Sequence, residues 1–185
     1  MSACSLMDTI APSQPPMLPE WSIVCVVHNQ AKDLMLWMRQ AMSAKSHNWE
    51  MIIADVDSND GSRELALAVS AMDPRIRVLP RSRDHWLTIL RQATDRTLGD
   101  FILVQFPGTA LPDLDVLTSQ SFDRQGDIVD LRQVGGSAWP ACRRGYWMQS
   151  AIDAASHQLP EQIAYILASE GARLVHCSPV QGQIS

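Results

Sequence analysis

The chain reads as an α/β protein built on one mostly parallel sheet with helices on both faces, a Rossmann-like architecture. Two observations predict it. Short apolar runs of strand length alternate with stretches of helical periodicity, and a parallel strand covered on both faces needs such a run, as its crossover needs a helix. The composition agrees, since 185 residues that are 46% hydrophobic and 19% charged supply one core with no need of disulfide or metal staples.

The elements follow in order. Residues 1–20 carry Pro12, Pro15, Pro16 and Pro19 among Ser and Thr, too little apolar surface to offset ordering entropy, and are expected to form a flexible leader to a domain spanning 21–185. Ser22 to Val27 is a continuous apolar run and predicts the first strand. Ala31 to Lys45 places Leu34, Trp37, Met38, Ala41 and Met42 on one helical face. The unit repeats: strand from Met51 to Ala54, helix from Gly61 to Met72, strand from Ile76 to Leu79, helix from Trp86 to Arg96, strand from Phe101 to Gln105. After Pro112 the pattern predicts a short helix, a strand from Asp127 to Leu131 and a break at Gly135-Gly136. Helices near Arg144 to Ala155 and Glu161 to Ser169 and a strand from Arg173 to Cys177 complete the series.

Composition also excludes functions. Fifteen Lys and Arg against twenty Asp and Glu give a net charge of −5, and no basic run is present to wrap nucleic acid or lie on an anionic membrane. No apolar stretch approaches the roughly 18 residues of a membrane span, and the amino terminus lacks signal-peptide order, so a cytoplasmic location is expected. Cys4, Cys25, Cys142 and Cys177 show no metal-site spacing and read as reduced thiols. There is no dinucleotide fingerprint and no P-loop. With Lys32 and Lys45 as the only lysines and no acidic pair after the first strand, the residues of a phosphoacceptor receiver are missing too. Ser58 lacks the glycines of a nucleophile elbow.

Ligands of such sheets bind beyond the carboxyl ends of the strands. Three segments lie there: His28-Asn29-Gln30, Asp55 to Ser62, and Phe106-Pro107-Gly108. The middle one interleaves three carboxylates with Ser, Asn and Gly, a set suited to ribose hydroxyls and a base, or to a cation. The plainer account is that Asp57, Ser58 or Asp60 caps the following helix. Capping leaves Asp55 unexplained, because a carboxylate ending a buried strand is costly unless paired or turned to a cleft.

These residues resemble glycosyltransferase family 2. Ser22 to Gln30 is similar to its opening strand, with Asn29 retained and Val26, His28 and Gln30 in place of the family's Pro, Tyr and Glu. Glu50 to Ser62 resembles its second strand and D-D-G-S-x-D-G-T loop, Asp73 to Val78 its third-strand entry, and Thr97 to Leu103 its approach to the fourth strand. Each motif alone is weak; four in order and at the right spacing carry the resemblance from Trp21 to about Leu117. It implies a GT-A fold with a nucleotide-binding half (21–117) and an acceptor-side half (118–180). It further implies inverting transfer from a nucleotide sugar to a glycan or other hydroxyl acceptor, with Asp55 near the base and His28, Asn29 and Asp57 around the nucleotide.

The departures matter as much. The family's metal-binding D-x-D falls on Phe106-Pro107-Gly108, which has no carboxylate, so no metal ligand and no cofactor is expected, and divalent metal is doubtful. Asp113-Leu114-Asp115 spells D-x-D, but as first-turn acids of a helix after Pro112. Arg143 and Arg144 are the candidates for the diphosphate, since Arg forks suit phosphate oxygens, and Glu161 is the candidate general base. His28 is a candidate ring stacker at the pocket mouth; His47, His85, His157 and His176 have no partner at metal or triad spacing. The alternative is a degenerate member that binds a nucleotide, a glycan or a protein without catalysis, and a protein partner or a second copy of the chain stays open.

Overall fold

A computed structural model describes residues 18–119, 125–130, 141–146 and 174–176. The described residues form β1 (Trp21–Val27), α1 (Ala31–Ser43), β2 (Trp49–Asp55), α2 (Ser62–Ser70), β3 (Ile76–Val78), α3 (Trp86–Thr94) and β4 (Phe101–Gln105), then α4 (Leu114–Ser119), β5 (Ile128–Asp130), β6 (Ala141–Arg143), α5 (Arg144–Tyr146) and β7 (Leu174–His176). The predicted leader up to residue 17 lies outside the described residues, as do the predicted helix over Glu161 to Ser169 and most of that over Arg144 to Ala155.

The strands make one sheet in the order β3-β2-β1-β4-β6-β5-β7. β1, β2, β3 and β4 pair in parallel, β6 runs antiparallel to both β4 and β5, and β5 and β7 are parallel. The expected mostly parallel sheet is therefore present. β6 was not expected: three residues, Ala141-Cys142-Arg143, are too few to show periodicity, and their reversal is set by pairing with β4.

Alternation along the inner strands divides the core. Ile23, Cys25, Met51, Ile53, Phe101 and Leu103 face α1, α2 and α4, while Val24, Val26, Ile52, Ala54, Ile102 and Val104 face α3. Helix α1 docks through Leu34, Trp37, Met38 and Ala41, spaced i, i+3, i+4 and i+7, each large side chain contributing about 1.5–3 kcal/mol on burial. Met42, expected on that face, is exposed instead. Cys25 and Cys142 are buried free thiols; burial pushes Cys142 up to about 12 and Cys25 higher still.

The amino-terminal edge of the sheet is closed by a buried carboxylate. Glu50 Oε1 accepts the Ser22 hydroxyl at 2.6 Å and the Leu98 N–H at 2.5 Å, and Oε2 accepts Arg77 at 2.5 Å. The Ser22 Oγ in turn accepts the Gly99 N–H at 2.8 Å. Only glycine fits there, since a Cβ on Gly99 would stand 2.8 Å from the Ser22 nitrogen and 2.9 Å from the Trp21 carbonyl carbon. This closure holds β1, β2 and the approach to β4 in register, and that register sets what meets at the opposite edge.

Candidate functional site

At the carboxyl-terminal edge, the register Val27↔Asp55 brings the ends of β1 and β2 side by side. The loops that follow are stitched together. Asn29 N–H donates to Ser58 Oγ at 3.0 Å, Gln30 N–H to Ser62 Oγ at 3.0 Å and Ala31 N–H to Asp60 Oδ2 at 2.9 Å, while Asn59 N–H donates to Asn29 Oδ1 at 2.8 Å. The Ala31 amide that opens α1 and the two amides before it are thus satisfied from the second loop rather than by a local cap. Asp60 Oδ1 also accepts the Ser62 hydroxyl and N–H, and these bonds, the Ser62 hydroxyl first, hold the Asp60 carboxyl below the usual carboxylate range. Ser58, Asp60 and Ser62 are accounted for as the joint between two helix starts.

His28 is tethered too. Its Nδ1 lies 2.5 Å from the Val56 carbonyl oxygen and its Nε2 3.3 Å from Asn29 Nδ2. A carbonyl only accepts, so Nδ1 is the donor to Val56. Two residues in this edge adopt left-handed backbone without being glycine, Asn29 at φ 51° and Asp57 at φ 50°. Such strain persists only where the surroundings impose it and gathers at functional sites.

Asp55, 1% exposed, is held differently. Oδ1 accepts the Ser58 N–H at 3.3 Å, but buried Oδ2 has no hydrogen-bond partner among the described residues. Two guanidiniums stand just outside bonding distance, Arg63 Nη1 at 3.9 Å and Arg81 Nε at 3.8 Å. Its charge is compensated while one acceptor stays open. Asp57 is gripped on both oxygens, by Arg81 Nε and Arg83 Nε at 2.9 Å each. Arg81 also donates to the Ser58 carbonyl. Sequence reasoning missed both arginines. The signal was present: Arg81-Ser82-Arg83 begins three residues after the end of β3, and extended backbone sends residues i and i+2 to one side.

The end of β4 is a tight turn without acids. Gly108 takes φ 98°, the Phe106 carbonyl accepts the Thr109 N–H and hydroxyl, and the Gln30 amide donates to the Pro107 carbonyl at 2.6 Å. Phe106 packs edge-on to Trp86 with centroids 6.0 Å apart. Asp113 and Asp115 are engaged elsewhere. Asp113 Oδ1 accepts the N–H groups of Asp115 and Val116 and so caps α4. Asp115 accepts from Ser46 and Lys45 N–H, which hold its carboxyl below the usual range. A divalent cation wants about six oxygen ligands, and no group of three or more candidate ligands exists among the described residues. The end of β4 offers a cation no carboxylate. Asp113→Ala is therefore expected to cost about 0.5–2 kcal/mol of stability through the lost cap and to leave ligand affinity unchanged; urea unfolding and a nucleotide titration check the two halves.

The sheet places Arg143 and Arg144 at the end opposite Asp55. Arg143 is registered with Phe101 at the start of β4, and Arg144 N–H donates to the Asp100 carbonyl. Arg143 is spent on structure, lying 4.9 Å over the Phe101 ring and donating to the Gly126 carbonyl. Six residue steps of strand, from Trp21 beside Phe101 to Val27 beside Asp55 and so about 20 Å, separate that end from the edge where Asp55 lies. Glu161 lies outside the described residues.

Residues 22–105 match the family described as glycosyl transferase family 2. The match covers 84 of the 185 residues. The fold around it is GT-A-like. A mannosyltransferase from Pyrobaculum calidifontis, solved in complex with GDP-Man and Mn2+, aligns with a TM-score of 0.59 at 14% identity, over 91% of this chain and 59% of its own. A glucosyl-3-phosphoglycerate synthase from Mycobacterium tuberculosis, solved with Mn2+, UDP and glucosyl-3-phosphoglycerate, gives 0.48 at 15% identity over 69% of this chain and 57% of its own. The chain thus spans about three fifths of the length of these transferases. No curated protein sequence matches it. Among the described residues no helix is long and apolar enough to cross a membrane.

Proposed function

We propose that this glycosyl transferase family 2 segment binds a nucleotide sugar across the carboxyl ends of β1, β2 and β4, with Asp55 at the base. The carrying observation is the open Oδ2 of Asp55: a buried carboxylate oxygen with no hydrogen-bond partner among the described residues suits a base N–H, and leaving such an acceptor unmade is costly. Asn29, Asp57 and the His28 ring flank it. In the transfer reading the acceptor oxygen attacks the anomeric carbon from the face opposite the diphosphate, the bond to the diphosphate breaks, and a carboxylate takes the acceptor proton. Glu161 is the residue proposed for that proton.

A second reading has its own support. The β4 end presents Phe106-Pro107-Gly108 and no acid, so that strand end supplies no carboxylate to a metal that would stabilise a diphosphate leaving group, and a member that binds without transferring accounts for this departure directly. Titration of nucleoside diphosphates and nucleotide sugars, with and without manganese, tests both. Binding is expected to be nearly indifferent to chelator. A manganese gain of tenfold or more, about 1.4 kcal/mol of coupling, would show that carboxylates elsewhere in the chain have taken over the metal and would favour active transfer. No binding of any nucleotide would remove the proposal.

A further inference from the structure

We infer that Arg83, with Arg81 beside it, is the anion-binding element of this site and takes the phosphates of a nucleoside diphosphate. The inference rests on the nucleotide reading for its ligand and on separate residues for its evidence. The segment carrying both arginines runs past Asp55: Val56 bridges to Ser82 as in a parallel pair, and the Ser82 N–H reaches the Asp55 carbonyl at 3.4 Å. Three guanidiniums, Arg63, Arg81 and Arg83, stand here against Asp55 and Asp57, while the third carboxylate of the segment, Asp84, is turned to the Ser82 hydroxyl at 2.9 Å.

Their commitments differ. Arg63 is 20% exposed and donates to the Leu79 carbonyl at 3.1 Å. Arg81 is spread over Asp57, Asp55 and the Ser58 carbonyl. Arg83 is 84% exposed and uses Nε alone, on Asp57 at 2.9 Å; among the described residues its two terminal nitrogens have no partner. A fork with free parallel donors matches phosphate oxygens bidentately. If Arg83 turns to a phosphate, Asp57 keeps Arg81, and only an exposed ion pair, weak in water, is given up. Asp57 in its strained conformation is then the group that positions both arginines.

The test is calorimetric titration of the full chain with uridine and guanosine, with their diphosphates, and with inorganic pyrophosphate. Arg83→Ala is expected to weaken diphosphates and pyrophosphate about tenfold, and Arg83→Glu about a hundredfold, the range of one to two charge-assisted hydrogen bonds, while nucleoside affinity stays unchanged. Arg144→Ala, at the opposite edge, is expected to change nothing. Arg83 is exposed, so its variants should fold, and their circular dichroism checks that. Diphosphate and pyrophosphate binding that is indifferent to Arg83→Glu overturns the inference, as does a diphosphate that binds no better than its nucleoside; both leave the Asp55 reading standing if nucleosides bind. Pyrophosphate binding that depends on Arg83, with no nucleoside bound, sustains the inference and removes the base reading. No binding by any probe overturns both.

Discussion

Glu50→Ala is expected to lower the free energy of unfolding by about 3 kcal/mol, since each buried donor left unsatisfied costs about 1–3 kcal/mol. The carboxylate is 4% exposed and accepts from the Ser22 hydroxyl, the Leu98 N–H and Arg77. Removing it strands the first two in a place that water does not reach. Arg77 contributes less, because its side chain is 40% exposed and also donates to the Arg96 carbonyl, so it finds solvent. Glu50→Gln keeps one acceptor and its size, and should lose about half as much. Urea unfolding of both variants checks the order; Glu50→Ala within about 0.5 kcal/mol of wild type, the usual range for a surface substitution, would show that the amino-terminal edge does not hold the sheet together.

The β1 to β4 half of this sheet was legible because its signals are strong and local. Strands buried on both faces read as apolar runs, and α1 carries its stripe at i, i+3, i+4 and i+7. β2 extends to Trp49 and includes Glu50, which the pattern omits, because a charged residue inside a strand becomes tolerable only through partners 27 to 48 residues away in sequence. The loop after β2 was legible as a region rather than residue by residue. Ser58, Asp60 and Ser62 satisfy backbone amides of the other loop, a role set by strand register. The position of Arg143 and Arg144 was illegible for the same reason: a family-like spacing does not show that β6 runs back to end beside Phe101. Arg81 and Arg83 follow a strand end in plain view and went unread because acids, rather than their counter-charges, marked the site.

Asp55→Asn is expected to weaken nucleotide binding by about 10- to 100-fold, the equivalent of one hydrogen bond to a charged acceptor at about 1.5–3 kcal/mol. The comparison with Glu50 supplies the reason. Both are buried carboxylates on β2, five residues apart, at opposite edges of one sheet. Glu50 has both oxygens bonded; Asp55 keeps Oδ2 without a hydrogen bond, under two arginines that stop at 3.8 and 3.9 Å. Unmade bonds of this kind persist where something else completes them. Asparagine keeps the shape and can still accept the Ser58 N–H, so the substitution removes the charge and one acceptor with little disturbance of the loop. Stability is therefore expected to change less than for Glu50→Ala, although the arginines lose a counter-charge. Titration of the variant beside Asp113→Ala decides the matter: equal affinities in the two would mean that the base does not sit at Asp55, and that its open oxygen is a structural cost this fold carries without a ligand.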